Sequence, residues 1–123
     1  MGETSVAALG LAAAAVVVVS TGIFLTRAGR PFSTLLLNVH KLVDLAALIA
    51  LGVLVSRVAR SDPLSGAQWM GVGVAGALCV AALVTGGVVS ANDSAPPWVV
   101  WTHRVGSWAT VLAVSWCAWL VLP

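Results

Sequence analysis

Charged side chains are scarce in this sequence. Only 8% of its 123 residues are Asp, Glu, Lys or Arg, whereas 60% are hydrophobic. A soluble domain carries about 25% charged residues, so this composition argues against one. The formal net charge of +2 is small and scattered along the chain, and it predicts no nucleic-acid partner.

Cysteine is also rare. Cys79 and Cys117 are the two cysteines, and they form no C-x-x-C motif. We expect them at different depths in a membrane, which argues against a thiol–disulfide enzyme coupled to quinones. Nothing in the chain indicates a phosphate-binding loop or the Ser–His–acid triad of a hydrolase. Catalysis other than redox chemistry is therefore not predicted.

Long apolar stretches are what the sequence does contain. They cover residues 5–26, 32–56, 66–90 and 98–122, with short polar turns between them. About 20 apolar residues in a helix suffice to cross a ~30 Å hydrocarbon layer, and short turns make neighbouring helices antiparallel. The sequence predicts an all-α membrane protein, an up-down bundle of four transmembrane helices in a single domain over residues 1–123. We expect a multi-pass protein of a cell (plasma) membrane.

Five ionisable residues interrupt the apolar spans. Span two contains His40, Lys41 and Asp44, and span four contains His103 and Arg104. Such residues are costly in lipid, so they usually face the interior of a bundle and mark a functional site. A basic residue directly follows each histidine. These five residues are therefore the first candidates for function.

The two halves of the chain resemble each other around these residues. A Thr-Gly pair occurs in span one at Gly22 and in span three at Gly86. Gly22 precedes His40 by 18 residues, and Gly86 precedes His103 by 17. A duplicated helical hairpin is a reasonable hypothesis from this pattern.

The predicted depths of the two histidines place them at about the same level in the membrane. His40 lies eight residues after Phe32, and His103 five after Trp98, at the starts of two parallel spans. At ~1.5 Å per residue, these depths are about 12 Å and about 8 Å. Gly22 and Gly86 are expected at about the same level on the other two spans. The pattern predicts two imidazoles on diagonal helices that share a ligand, with glycines leaving a slot for a flat macrocycle.

Here the chain resembles the small b-type membrane cytochromes. In that group, histidines on diagonal helices of a four-helix bundle hold haem, and glycines on the other pair make space. His40, His103, Gly22 and Gly86 carry the resemblance, which covers the whole chain in architecture. It implies one haem b per chain, with its iron between His40 and His103. Many members have four histidines and two haems, whereas this chain has two histidines.

The remaining ionisable residues have more than one interpretation. Lys41 and Arg104 suit either pairing with the haem propionates or snorkelling toward lipid headgroups. Asp44 lies one helical turn beyond His40. It suits a hydrogen bond to a histidine, a proton relay, contact with a substrate such as a quinol, or an ion pair with Lys41 or Arg104.

The resulting prediction is electron transfer between an unknown donor and acceptor, with a quinol or a redox protein as candidates and lipid as the surrounding partner. The main alternative is a small transport or assembly subunit that handles protons or a metal with His40, Asp44 and His103.

The histidines also suit plain hydrogen bonding between helices. A structural subunit of a larger complex, or a homodimer through the glycines of span three, stays open. Those glycines are Gly66, Gly71, Gly73 and Gly76.

Overall fold

The fold is all-α. The computed structural model describes residues 2–121, without the side chains of Glu3 and Thr4, and these residues form four helices joined by short turns. The predicted all-α, four-helix architecture is confirmed. The helices are α1 (Glu3–Ala28), α2 (Thr34–Ser61), α3 (Gly66–Ala91) and α4 (Pro97–Val121). Leu122, the predicted last residue of span four, lies outside the described residues.

All four helices are long and apolar enough to cross a membrane. The shortest apolar segment has 24 residues, which at ~1.5 Å per residue is about 36 Å, more than the ~30 Å hydrocarbon layer. Large apolar side chains point outward, as Leu35 does at 77% exposure and Trp119 at 76%. Such exposure is ordinary where the solvent is lipid rather than water. The chain is therefore a multi-pass integral membrane protein.

The helix ends follow local sequence signals. Gly29 ends α1 with a φ of 70° and donates its N–H to Leu25 O at 3.2 Å, a conformation that glycine adopts without steric cost. Pro97 is the first residue of α4, where its missing N–H costs no hydrogen bond. The helix α2 ends at Ser61, two residues before Pro63. It runs five residues beyond the predicted span end at 56, because arginines at its exposed end interrupt the apolar stretch but not the helix.

The chain divides into two compact units, Met1–Leu54 and Val55–Pro123. The first unit contains α1 and most of α2, and the second contains the end of α2 with α3 and α4. The prediction of a single domain over residues 1–123 stays a prediction. Within each unit the consecutive long helices form a hairpin, as the contacts described below show.

Small residues line the contact between α3 and α4. The buried positions of α3 are Gly71, Ala75, Cys79 and Ala82, and those of α4 are Val99, Thr110, Ala113, Cys117 and Val121. A Cβ on Gly71 would lie 3.8 Å from the Cα of Cys117, which shows how closely the two backbones approach. Small side chains allow this kind of packing in membrane helices.

The glycines of α3 do not form one packing face within the chain. Of Gly66, Gly71, Gly73 and Gly76, Gly71 is the one that packs against α4 in the described part of the chain. A Cβ on Gly66, Gly73 or Gly76 would meet no atom of the described part of the chain within 4 Å. Within the chain, α4 contacts the Gly71, Ala75, Cys79 and Ala82 stripe of α3. A homodimer through the glycines of α3 stays a prediction.

One glutamine joins the beginning of α3 to the end of α4. Ser65 and Gln68 form a capping box, in which the Ser65 N–H donates to Gln68 Oε1 at 2.8 Å and the Gln68 N–H donates to Ser65 Oγ at 3.3 Å. The other end of the same amide, Gln68 Nε2, donates to Leu120 O at 2.8 Å. This bond joins the first turn of α3 to the last turn of α4, at the end of the hairpin opposite the turn. The two helices are therefore antiparallel.

Candidate functional site

In the first hairpin, His40 of α2 rests against the Thr-Gly pair of α1. His40 Nδ1 lies 2.9 Å from Thr21 Oγ1. A Cβ built on Gly22 would lie 3.2 Å from His40 Cε1, closer than nearly all real contacts of this kind. The imidazole therefore packs directly on the backbone of α1, and glycine at position 22 makes the approach feasible.

The second hairpin repeats this arrangement. His103 Nδ1 of α4 lies 3.1 Å from Thr85 Oγ1 of α3. A Cβ on Gly86 would lie 2.8 Å from His103 Cε1, too close for any alanine without a shift of the structure. Thr21, Gly22 and His40 thus come together in one hairpin, and Thr85, Gly86 and His103 in the other. This repetition supports the hypothesis of a duplicated hairpin.

The two threonine hydroxyls also bond to their own helices. Thr21 Oγ1 lies 2.7 Å from Val17 O, and Thr85 Oγ1 lies 2.7 Å from Ala81 O. A hydroxyl has a single hydrogen, and a threonine within a helix commonly donates it to the carbonyl four residues earlier. Its oxygen is then left to accept a hydrogen from the imidazole.

This assignment determines the tautomer of each neutral ring. If the hydroxyl accepts, the histidine Nδ1 must carry the hydrogen, and in a neutral imidazole the lone pair is then on Nε2. The same nitrogen is therefore the Lewis base in both hairpins. A neutral Nε2 whose Nδ1–H is held by an acceptor is the usual form of a metal-ligating histidine.

Both histidines are half-buried, whereas the basic residues that follow them, Lys41 and Arg104, are exposed. A residue one position further on points about 100° away around a helix, which separates the basic groups from the imidazoles. Their exposure suits side chains that extend toward the membrane surface. Their predicted pairing with propionates stays a prediction.

Asp44 is the main difference between the two hairpins. It is half-buried one turn beyond His40 on the same helix. The residue at the same distance from His103 is Ser107, whose hydroxyl donates to His103 O at 2.7 Å. Position 44 thus carries a carboxyl group where the second hairpin has a hydroxyl group.

Other metal-binding arrangements find little support among the residues described, 2–121. They contain no group of three or more His, Cys, Asp or Glu side chains placed to hold a metal ion. Cys79 and Cys117 are buried thiols in the contact between α3 and α4. Two imidazoles alone are too few for a structural zinc site but are the complete axial set of a bis-histidine haem.

The sequence identified the histidines and glycines but not the part played by the threonines. Thr21 and Thr85 directly precede Gly22 and Gly86, and that spacing was the available signal. The sequence predicts that the glycines leave room for a flat ligand. In the structure the nearest group to each glycine is the imidazole of its own hairpin.

Comparison of the chain with protein-family models, curated proteins and solved structures finds no match. Function is therefore inferred from the side chains described above.

Proposed function

We propose that this protein is a membrane-embedded b-type cytochrome that binds one haem through His40 and His103 and transfers electrons. The observation that carries the proposal is the repeated Thr–His bond, in which His Nδ1 lies 2.9 Å and 3.1 Å from Thr Oγ1. With Nδ1 engaged in this bond, Nε2 is the candidate ligand atom of each imidazole. Two neutral imidazoles are one of the axial donor sets that give low-spin haem iron.

The other residues of the proposed site have supporting roles. Gly22 and Gly86 let the imidazoles pack directly on the neighbouring helix, so each ring contacts both a glycine and a threonine of that helix. Lys41 and Arg104 supply positive charge for the haem propionates near the membrane surface. The haem, when bound, supplies a one-electron redox couple. The chain's own residues hold it, orient its ligands and keep it in a low-dielectric layer.

The proposed partners follow from the location of the chain in lipid. A single-electron carrier needs a reduced donor and an oxidised acceptor, and a quinol or a redox protein has the appropriate chemistry. We place the protein in a cell membrane. No nucleic-acid partner is proposed, since the small net charge of +2 makes no basic surface.

The test is a visible spectrum of the full-length protein purified in detergent, oxidised and then reduced with dithionite, with a pyridine assay for haem type. We expect sharp reduced bands and about one haem b per chain. His40→Ala and His103→Ala should each abolish the low-spin spectrum. Asn38→Ala, an exposed change two residues before His40, is the matched control and should keep it. An unchanged spectrum in both histidine variants would refute the proposal.

A second candidate function rests on the position of Asp44, one helical turn beyond His40, where the second hairpin has Ser107. A histidine and a carboxyl group within a membrane span can move protons or contact a metal ion in a transport or assembly subunit. This alternative predicts a colourless protein that takes up no added haem. It also predicts that Asp44→Asn abolishes proton or metal movement in vesicles that contain the purified chain.

A further inference from the structure

We infer that Thr21 and Thr85 are positioning residues, which hold His40 and His103 as the Nδ1–H tautomer and present Nε2 to the haem iron. The inference rests on the proposed haem function and extends it to two side chains that do not touch the iron. It is carried by contacts that occur twice in the chain, once in each hairpin.

The direction of each hydrogen bond follows from the whole set of oxygen contacts. Thr21 Oγ1 lies 2.7 Å from Val17 O and 3.1 Å from Val18 O, and Thr85 Oγ1 lies 2.7 Å from Ala81 O and 3.2 Å from Ala82 O. If the hydroxyl donated to the imidazole instead, two oxygens would stand 2.7 Å apart with no hydrogen between them. Donation to the helix avoids this repulsion and makes the hydroxyl an acceptor for Nδ1–H.

The glycines add a second constraint on the same rings. From the Cβ position of Gly22 the nearest atoms of His40 are Cε1, Nδ1 and Nε2, at 3.2, 3.8 and 4.0 Å. From Gly86 the atoms of His103 come in the same order, at 2.8, 3.3 and 3.4 Å. Each ring therefore meets the glycine of the neighbouring helix with its Cε1 corner, and Nδ1 and Nε2 lie at similar distances from that glycine. A ring flip would replace the Nδ1–H donor with a carbon atom and lose the hydrogen bond.

The hydroxyl has a chemical consequence for the ligand. An imidazole that donates from Nδ1 gains electron density on Nε2 and becomes a stronger ligand. A stronger donor favours ferric over ferrous iron, so loss of the hydroxyl should raise the reduction potential and weaken haem binding. Partners of this kind typically contribute about 10–100-fold to metal affinity.

The experiment uses the full-length chain with Thr21→Val or Thr85→Val, which keep the branched shape and remove the hydroxyl. Thr21→Ser and Thr85→Ser restore the hydroxyl. Thr110→Val is the matched control, because Thr110 is a buried threonine whose hydroxyl donates to the carbonyl of Gly106 in its own helix. The readouts are ¹⁵N NMR of the imidazoles in haem-free protein, haem affinity by titration, and the midpoint potential of the loaded protein.

We expect haem-free wild type to show protonated Nδ1 and unprotonated Nε2 in both histidines. Each valine variant should lose this tautomer at one histidine, bind haem about 10-fold more weakly and have a higher potential. The serine variants should resemble wild type, and so should Thr110→Val. Serine variants that behave as the valine variants do would overturn the inference, because shape rather than the hydroxyl would then matter.

The design separates this inference from the proposed function. Wild type that binds haem normally, with valine variants indistinguishable from Thr110→Val, overturns the role of the threonines and leaves the cytochrome intact. Wild type that takes up no haem refutes the cytochrome and, with it, the positioning of Nε2 toward iron. If the valine variants do not fold, the tautomer of wild type decides: protonated Nε2 in either histidine overturns the inference.

Discussion

Gly86 and His103 pack so closely that a single methyl group at position 86 would lie 2.8 Å from the imidazole Cε1. The corresponding distance between Gly22 and His40 is 3.2 Å. Position 86 should therefore tolerate an added methyl group less well than position 22, although the two hairpins share the same contacts.

We expect Gly86→Ala to destabilise the second hairpin by about 1–3 kcal/mol, since it overpacks the ring against α3. Gly22→Ala should have a smaller effect, because the ring needs to move only a few tenths of an ångström. The adjacent change Gly87→Ala is the control, since its Cβ would meet nothing in the described chain within 4 Å. Thermal unfolding in detergent measures all three, and equal losses at positions 86 and 87 would contradict the packing described here.

Asp44→Asn should leave low-spin haem binding intact, because the carboxylate neighbours His40 but is not one of the proposed axial ligands. Ser107→Ala is the matched change in the second hairpin and should behave alike in the absorption spectrum. Proton uptake by vesicles that contain each variant completes the comparison. A colourless wild type combined with a transport defect confined to Asp44→Asn would favour the alternative function.

Gln68→Ala should destabilise the α3–α4 hairpin, because it removes one side of the capping box and the bond to Leu120 O. Loss of a cap costs ~1 kcal/mol and loss of a hydrogen bond about another 1 kcal/mol. Gln68→Glu separates the two contributions, since the carboxylate still accepts from Ser65 N–H but has no hydrogen to donate to Leu120. We expect both variants to unfold below wild type, and the carboxylate of Gln68→Glu also repels Leu120 O. A wild-type midpoint for Gln68→Glu would assign no stabilising role to the bond with Leu120 O.

Ala75→Leu should be the most damaging apolar change in the α3–α4 contact. Ala75 has 0% exposure, and overpacking of such a position costs about 1–3 kcal/mol. Ala77→Leu adds the same group to an exposed position of the same helix and should be neutral. Comparison of their unfolding midpoints in detergent checks the prediction, which fails if the two variants melt together.

The fold was predictable from the sequence because charge and proline mark the turns of an otherwise apolar chain. Every helix that the apolar stretches indicated is present, and the differences are at the ends. The helix α2 continues to Ser61 because Arg57 and Arg60 are exposed at its end, where charge is compatible with a helix. Hydropathy records the loss of apolar character there and cannot distinguish it from the end of the helix.

The candidate site was predictable in its residues and less so in its contacts. The shared spacing identified His40, His103, Gly22 and Gly86, because helical rise converts sequence distance into depth. The Thr–His bonds depend instead on the rotation of each helix about its axis and on side-chain rotamers. Neither quantity can be read from spacing, so the groups nearest the glycines became clear only from the structure.

Gln68 also imposes an order on the biogenesis of the second hairpin. Its Oε1 can complete the capping box as soon as α3 has formed, because Ser65 lies only three residues earlier. Its Nε2 has to wait for Leu120, which the ribosome adds 52 residues later. The amide therefore acts in two stages: it caps α3 when that helix forms, and it bonds to the last turn of α4 only after that helix has been synthesised.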